Sequence, residues 1–233
     1  MKKLIITIAS IALVAGLNFG AKAQDVEEND ERIIHTKKSS IFNRKDFGLY
    51  LGLNNYTNTQ NLPELNNLQS RFVALQWRKN HRLITGGQVD LAMATGWELG
   101  WNNLMFNDNI RVARLQDGTT DFVDAGRTLD KSKLTTFNFN VPLMLQIGFK
   151  ESNWRLGVGA YGGVRLDSYT KTKDSENGTK RNHGAYNLNK FHYGLAAEMG
   201  RSGFAIFARY EMTPMFRDGN GVNGNMVSFG VRL

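Results

Sequence analysis

VDLAMATGWELGW, residues 89–101, is the stretch that decides how this chain folds. Val89, Leu91, Met93, Trp97, Leu99 and Trp101 are large and apolar, while Asp90, Ala92, Ala94, Gly96, Glu98 and Gly100 between them are small or acidic. Successive side chains of a strand point to opposite faces, so this segment has one greasy side and one small, polar side. On a helix the same residues would be mixed around the whole surface.

The alternation recurs along the chain. Strands are expected near 46–56, 69–79, 88–104, 134–149, 154–168, 188–200, 203–213 and 225–233. The clearest sets Phe137, Phe139, Val141, Leu143, Leu145, Ile147 and Phe149 against Thr136, Asn138, Asn140, Met144, Gln146 and Gly148. Pro142 falls inside it and removes a ladder donor, so a bulge or local break is expected there. Next, Trp154, Leu156, Val158, Ala160, Val164 and Leu166 oppose Arg155, Gly157, Gly159, Tyr161, Gly163 and Arg165. The chain ends on Val227, Phe229, Val231 and Leu233 against Ser228, Gly230 and Arg232.

The connections alternate as well. Long links follow the first, third, fifth and seventh segments, and short ones (79–87, 150–153, 200–202) follow the others. That rhythm suits a barrel with long loops outside and tight turns in the periplasm. Residues 1–23 have the order of a secretory signal: Lys2 and Lys3, an apolar run from Leu4 to Leu17, then Ala21, Lys22 and Ala23 before Gln24. Cleavage after Ala23 would lower the formal charge from +8 to +5. Residues 24–45 are charged and mixed, and are expected to form a flexible periplasmic lead-in; 46–233 would be one barrel domain.

Composition narrows the class. With no Cys, a lipoprotein anchor and a disulfide-stapled secreted domain are both excluded. A mean hydropathy of −0.38 is too polar for a bundle of membrane helices but suits a barrel with a hydrophilic interior. The basic residues are spread over strands and loops, so nucleic acid is not an expected partner. A sheet survives in hydrocarbon only if it closes. The expected fold is therefore all-β: an eight-stranded antiparallel up-and-down transmembrane β-barrel of the small outer-membrane type. Alternation alone leaves open which face is inside, and a soluble lipocalin-like periplasmic ligand binder would use the same stripe as its core.

In the membrane reading, Gly48, Gly52, Gly96, Gly100, Gly157, Gly159 and Gly194 line a narrow interior. Asp90, Glu98, Glu198 and Glu211 share it with Arg78, Arg155, Arg165, Lys190, Arg209 and Arg232, and are expected to form an internal plug of ion pairs. Tyr50, Tyr56, Trp77, Trp97, Trp101, Trp154, Tyr169, Tyr193 and Tyr210 are candidates for two interfacial girdles. His35, His81, His183 and His192 lack metal-ligand spacing, and no catalytic, cofactor-binding or metal-ligating residue is assigned. Asp218–Asn225 lacks the acids of a calcium loop and is expected to be a flexible turn. The loops at 106–133 and 171–181 are highly charged; outer-membrane lipid and lipopolysaccharide, or an envelope or secretion-system protein, are the expected partners of a monomeric barrel.

The chain resembles the PorT-like outer-membrane β-barrel proteins of Bacteroidetes. The resemblance rests on LTTFNFNVPLMLQIGF at 134–149, WRLGVGAYGGVRL at 154–166 followed by a charged hairpin, and MVSFGVRL at 226–233. It covers the chain from about residue 45 and carries over no catalytic residues. It implies an outer-membrane location, and some members of that group resemble components needed for type IX protein export. The expected function is thus non-enzymatic: a structural or partner-binding barrel, with a narrow channel or a secretion accessory as the alternative.

Overall fold

The computed structural model describes residues 40–233 apart from 108, 177, 202 and 221. The expected export signal and most of the expected lead-in lie outside the described residues. Eleven strands follow in order: β1 (Lys45–Gln60), β2 (Arg71–Ile84), β3 (Val89–Met105), β4 (Ile110–Arg114), β5 (Thr120–Asp124), β6 (Lys131–Phe149), β7 (Trp154–Asp174), β8 (Gly178–His183), β9 (Phe191–Arg201), β10 (Phe204–Glu211) and β11 (Asn223–Arg232).

Eight of these close a ring through antiparallel neighbours, in the order β1, β2, β3, β6, β7, β9, β10, β11 and back to β1. The closing seam runs from Tyr50 opposite Arg232 to Thr57 opposite Asn225. Closure leaves none of the eight as a bare edge. The remaining strands decorate one end: β4 and β5 form a hairpin in the loop between β3 and β6, and β8 pairs with the tip of β7.

The greasy face points outward. Val158 and Leu143 are 60% and 54% exposed, whereas Gln76 and Glu98 on the opposite face are each 1% exposed. A soluble lipocalin-like barrel needs the reverse, so the alternation is resolved in favour of a wall that faces lipid. Outward aromatics stack across strands: Trp77 on Trp97 with ring centres 4.1 Å apart, Phe47 edge-on to Trp77 at 4.9 Å, and Trp101 on Phe137 at 4.8 Å.

Pro142 is accommodated by a local break without a bulge. The β3–β6 ladder runs to Thr95 opposite Leu143 and resumes at Glu98 opposite Asn140 in the same register. That register sets Gly96 opposite Pro142, so the residue facing the proline ring has no side chain. The ladder to β7 continues through Pro142 opposite Tyr161. A true bulge occurs on β7, where Phe137 faces Asp167 but Asn138 faces Arg165. Leu166 is the extra residue. It shifts the parity of β7, so Arg165 and Ser168 are both buried while Leu166 and Asp167 are both exposed.

Several expectations need correction. Tyr50 and Tyr56 are not girdle residues: even positions of β1 face inward, and Tyr50 is completely buried in the lumen. Lys190 does not line the interior, because β9 begins at Phe191 and leaves Lys190 exposed in the preceding loop. The outer ends of β6 and β7 also run further than expected, to Lys131 and Asp174.

Candidate functional site

Every second residue of the ring projects into a space too narrow to stay empty, and polar side chains fill it. Glu98 on β3 is the hub. Arg209 on β10 grips its carboxylate with two hydrogen bonds, Nη1 to Oε1 at 2.6 Å and Nη2 to Oε2 at 2.5 Å. Gln76 Nε2 donates to Oε2 at 2.7 Å and Asn140 Nδ2 to Oε1 at 3.0 Å. The Arg209 guanidinium carbon lies 4.7 to 5.7 Å from the ring centres of Tyr50, Phe72, Tyr161 and Phe207. A desolvated cation gains from such rings as well as from its carboxylate.

A second centre joins β2 to β9. Arg78 pairs with Glu198 and also donates to Gln76 and Tyr50, while the Tyr50 hydroxyl donates to Glu198 Oε1 at 2.6 Å. Towards the loops, Arg165 pairs with Glu211 at 3.2 Å and donates to the Asn189 carbonyl at 2.5 Å. His192 Nε2 donates to Asn140 Oδ1 at 2.8 Å. At the short-turn end Arg232 pairs with Asp46 at 2.6 Å and Lys150 with Asp90 at 3.0 Å. The five pairs bring together most of the interior charges expected from the sequence. Arg155 instead sits half-buried at the short-turn mouth, donating to the Arg201 carbonyl at 3.1 Å.

Residues 41–43 complete the lower end. The Ile41 N–H donates to Asp90 Oδ2 at 2.9 Å, and the Phe42 and Asn43 carbonyls accept from Arg82 and Asn80. The buried Phe42 ring packs against Gly148, where a Cβ would lie 3.0 Å from Phe42 Cζ and 2.4 Å from Ile41 Cγ2. Two voids along the lumen, of about 20 and 10 Å3, each have room for about one water.

Above the polar plug the chemistry inverts. Leu65, Phe106, Leu188, Met215, Phe216 and Val222 from the four long loops pack with Leu104, Leu134 and Met226 from the strand ends. They form an apolar core over the outer mouth, with Tyr56, Val112 and Phe122 against it. Single bridges tie the loops in pairs, Leu65 to Phe106 and Leu188 to Phe216.

Asparagine side chains hold this cap. A carboxamide has the donor and acceptor of a peptide group, so it can pair with another residue's backbone. Asn220 Oδ1 accepts from the Thr120 N–H at 2.8 Å while its Nδ2 donates to the Thr120 carbonyl at 2.9 Å. Asn187 Nδ2 also donates to Asn220 Oδ1, so three loops meet at one side chain. Asn223 makes the same two-way pairing with Phe216. The expected flexible turn at 218–225 is therefore pinned, and sequence reasoning missed its role; the run of Asn was the available signal. In the β4–β5 turn, the Thr119 hydroxyl and N–H bond to Asp117 Oδ1 and hold that carboxyl below its ordinary range.

Among the described residues, two of the concavities lie outside the lumen. One is a groove of about 970 Å3 on the apolar outer wall, where small residues such as Ala160, Ala197 and Ala208 lie between Leu143, Leu195 and Phe229. The other is a cleft of about 310 Å3 where β7 changes partner from β9 to β8, lined by Arg165, Asp167, Lys190 and Arg217. Among the described residues no three His, Asp or Glu side chains converge in a way that could hold a metal.

The family model described as outer membrane protein beta-barrel domain matches residues 12–213. Comparison with curated proteins finds no match.

Proposed function

We propose, for a chain that belongs to the outer membrane protein beta-barrel family and resides in the bacterial outer membrane, a non-catalytic role as a filled barrel that carries a folded external cap. The observation that supports this most is the lumen itself. Five ion pairs along the lumen, three of them buried on both sides, water-sized voids, the Phe42 stopper below and the apolar core above leave the interior to structure and the outer surface of the cap to recognition. Within the family we place the chain among the PorT-like barrels of Bacteroidetes, on the three segments quoted above. An envelope or secretion-system protein is then the partner class for the cap.

Reconstitution in planar bilayers tests the filled lumen. The expected trace has no unitary steps, and a steady single-channel conductance would overturn the reading. For the partner, photo-crosslinking groups at exposed Arg111 and Leu115 in the β4–β5 hairpin should give a discrete adduct in intact cells. The absence of an adduct from all four loops would remove the recognition half of the proposal.

A further inference from the structure

The outer ends of β6, β7 and β8 form a three-stranded ribbon, and its register places charge in rows. At the base Phe137 stacks on Trp101, and Leu166 is the last outward aliphatic residue of β7. The next row is Thr135, Tyr169 and His183; above it stand Lys133, Lys171 and Arg181, and then Lys131 opposite Lys173. Parity puts the cations of these rows on the outward face, since Ser132, Leu134, Thr170 and Asp174 between them are buried; Thr135 at their base is itself covered, its hydroxyl donating to Asn103 Oδ1 at 3.1 Å.

Like charges placed directly opposite one another destabilise a sheet. Here Lys133 faces Lys171, Lys171 faces Arg181, and Lys131 faces Lys173. The carboxylates nearby do little to answer them. Asp130 pairs with Lys173 at 3.3 Å and Asp167 with His183 at 3.0 Å, but none of the ion pairs among the described residues involves Lys131, Lys133, Lys171 or Arg181. Lys133 Nζ donates to neutral Asn103 Oδ1 at 2.8 Å, and the Arg181 guanidinium stacks 4.5 Å from the Tyr169 ring centre. The repulsion is held in place by the ladder and left for something outside the chain to neutralise.

Height identifies that something. Four residues of tilted strand put the Lys133 row about 10 Å above Phe137. With the apolar belt in hydrocarbon, these cations reach the headgroup layer, and long side chains can bend towards it. Tyr169 stands between the two zones, where an amphipathic ring is favoured.

We propose that this face binds the phosphorylated headgroup of an outer-leaflet lipid, with Lys133, Lys171 and Arg181 as its phosphate contacts and Lys131 and Lys173 reinforcing them. The acyl chains then lie along Phe137 and Leu166. This site rests on the orientation with the long loops outside; it is independent of whether the lumen conducts or the cap binds a protein.

Native mass spectrometry of the full barrel, released from a zwitterionic detergent and titrated with bis-phosphorylated lipid A, tests the site. Each cation is expected to contribute about fivefold in affinity, so K133Q/K171Q/R181Q should bind about 100-fold more weakly. R71Q/K79Q, which removes two outward cations from β2, should bind as the parent does. Lipid A stripped of its phosphates should bind the parent at least tenfold more weakly, and inorganic pyrophosphate at the same concentration should not displace the lipid. A change in gel migration on heating reports whether each variant is folded. If the triple variant fails to fold, K171Q alone, with an expected loss of about fivefold, takes its place. Equal binding by the parent and the folded variant would overturn the site. Displacement by pyrophosphate would overturn its assignment to a lipid.

Discussion

The membrane-embedded barrel and the cap above it are built on opposite plans from one continuous set of strands. In the barrel Leu143 and Val158 face out while Glu98, Arg209 and Arg78 are sealed inside; in the cap Phe216 and Leu188 are inside and Asp117 and Arg111 are out. The switch happens within single strands. On β3 the inward side holds Glu98 and Asn102 and then Leu104; on β6 it holds Asn140 and Asn138 and, nearer the loops, Leu134. The surrounding solvent sets the plan. Lipid rewards apolar area outside and leaves the interior to hydrogen bonding, while water above the membrane restores the ordinary hydrophobic core.

The strongest way to break the contrast is to remove the hub of the lower plan. Glu98→Ala leaves Arg209 buried between four aromatic rings with no carboxylate, and losing one member of a buried pair costs about 3–5 kcal/mol. Urea unfolding in phospholipid vesicles should show a loss of that size; an unchanged midpoint would mean that water replaces the carboxylate freely. On the outer wall, Leu143→Lys places the same kind of charge near the middle of the lipid belt. The expected cost is about 2–4 kcal/mol in the same assay. A cation is thus required on the inner face of β10, at Arg209, and excluded from the lipid-facing side of β6, at Leu143.

The barrel half was largely legible because a period of two survives tertiary context: a residue's parity along its strand tells its face. Arg78, Glu98, Arg165, Arg209, Glu211 and Arg232 all lie inside as their positions dictate. The error at Tyr50 came from letting the interfacial preference of tyrosine outweigh that parity. Glycines were less legible, since all were read alike. A Cβ on Gly194 would lie 2.7 Å from the Tyr161 hydroxyl and 2.3 Å from the Tyr210 carbonyl, whereas on Gly157 the nearest atom is 3.6 Å away. Gly194→Ala should therefore cost about 1–3 kcal/mol by overpacking. Gly157→Ala should leave the unfolding midpoint unmoved, which separates a required glycine from a permissive one.

The cap was hidden for a physical reason. Leu65, Phe106, Leu188 and Phe216 stand in four separate loops with no shared period, and they become neighbours only once the ring has closed and brought the loop ends together. Its polar fastening is equally non-local, since Asn220 and Thr120 are 100 residues apart. Asn220→Ala tests whether the two plans are energetically separate. The change strands the buried Thr120 N–H and carbonyl, a loss of about 1–3 kcal/mol. If the cap is its own cooperative unit, that loss appears as faster protease cleavage in 106–130 and 212–222, while the urea midpoint of the barrel and its heat-shifted gel band stay put. Asn220→Asp keeps the acceptor for the Thr120 N–H but loses the donor, so its cleavage rate should fall between the two. A matched drop in barrel stability for both variants would instead make cap and barrel one folding unit, with the apolar core acting as the lid that holds the polar plug dry.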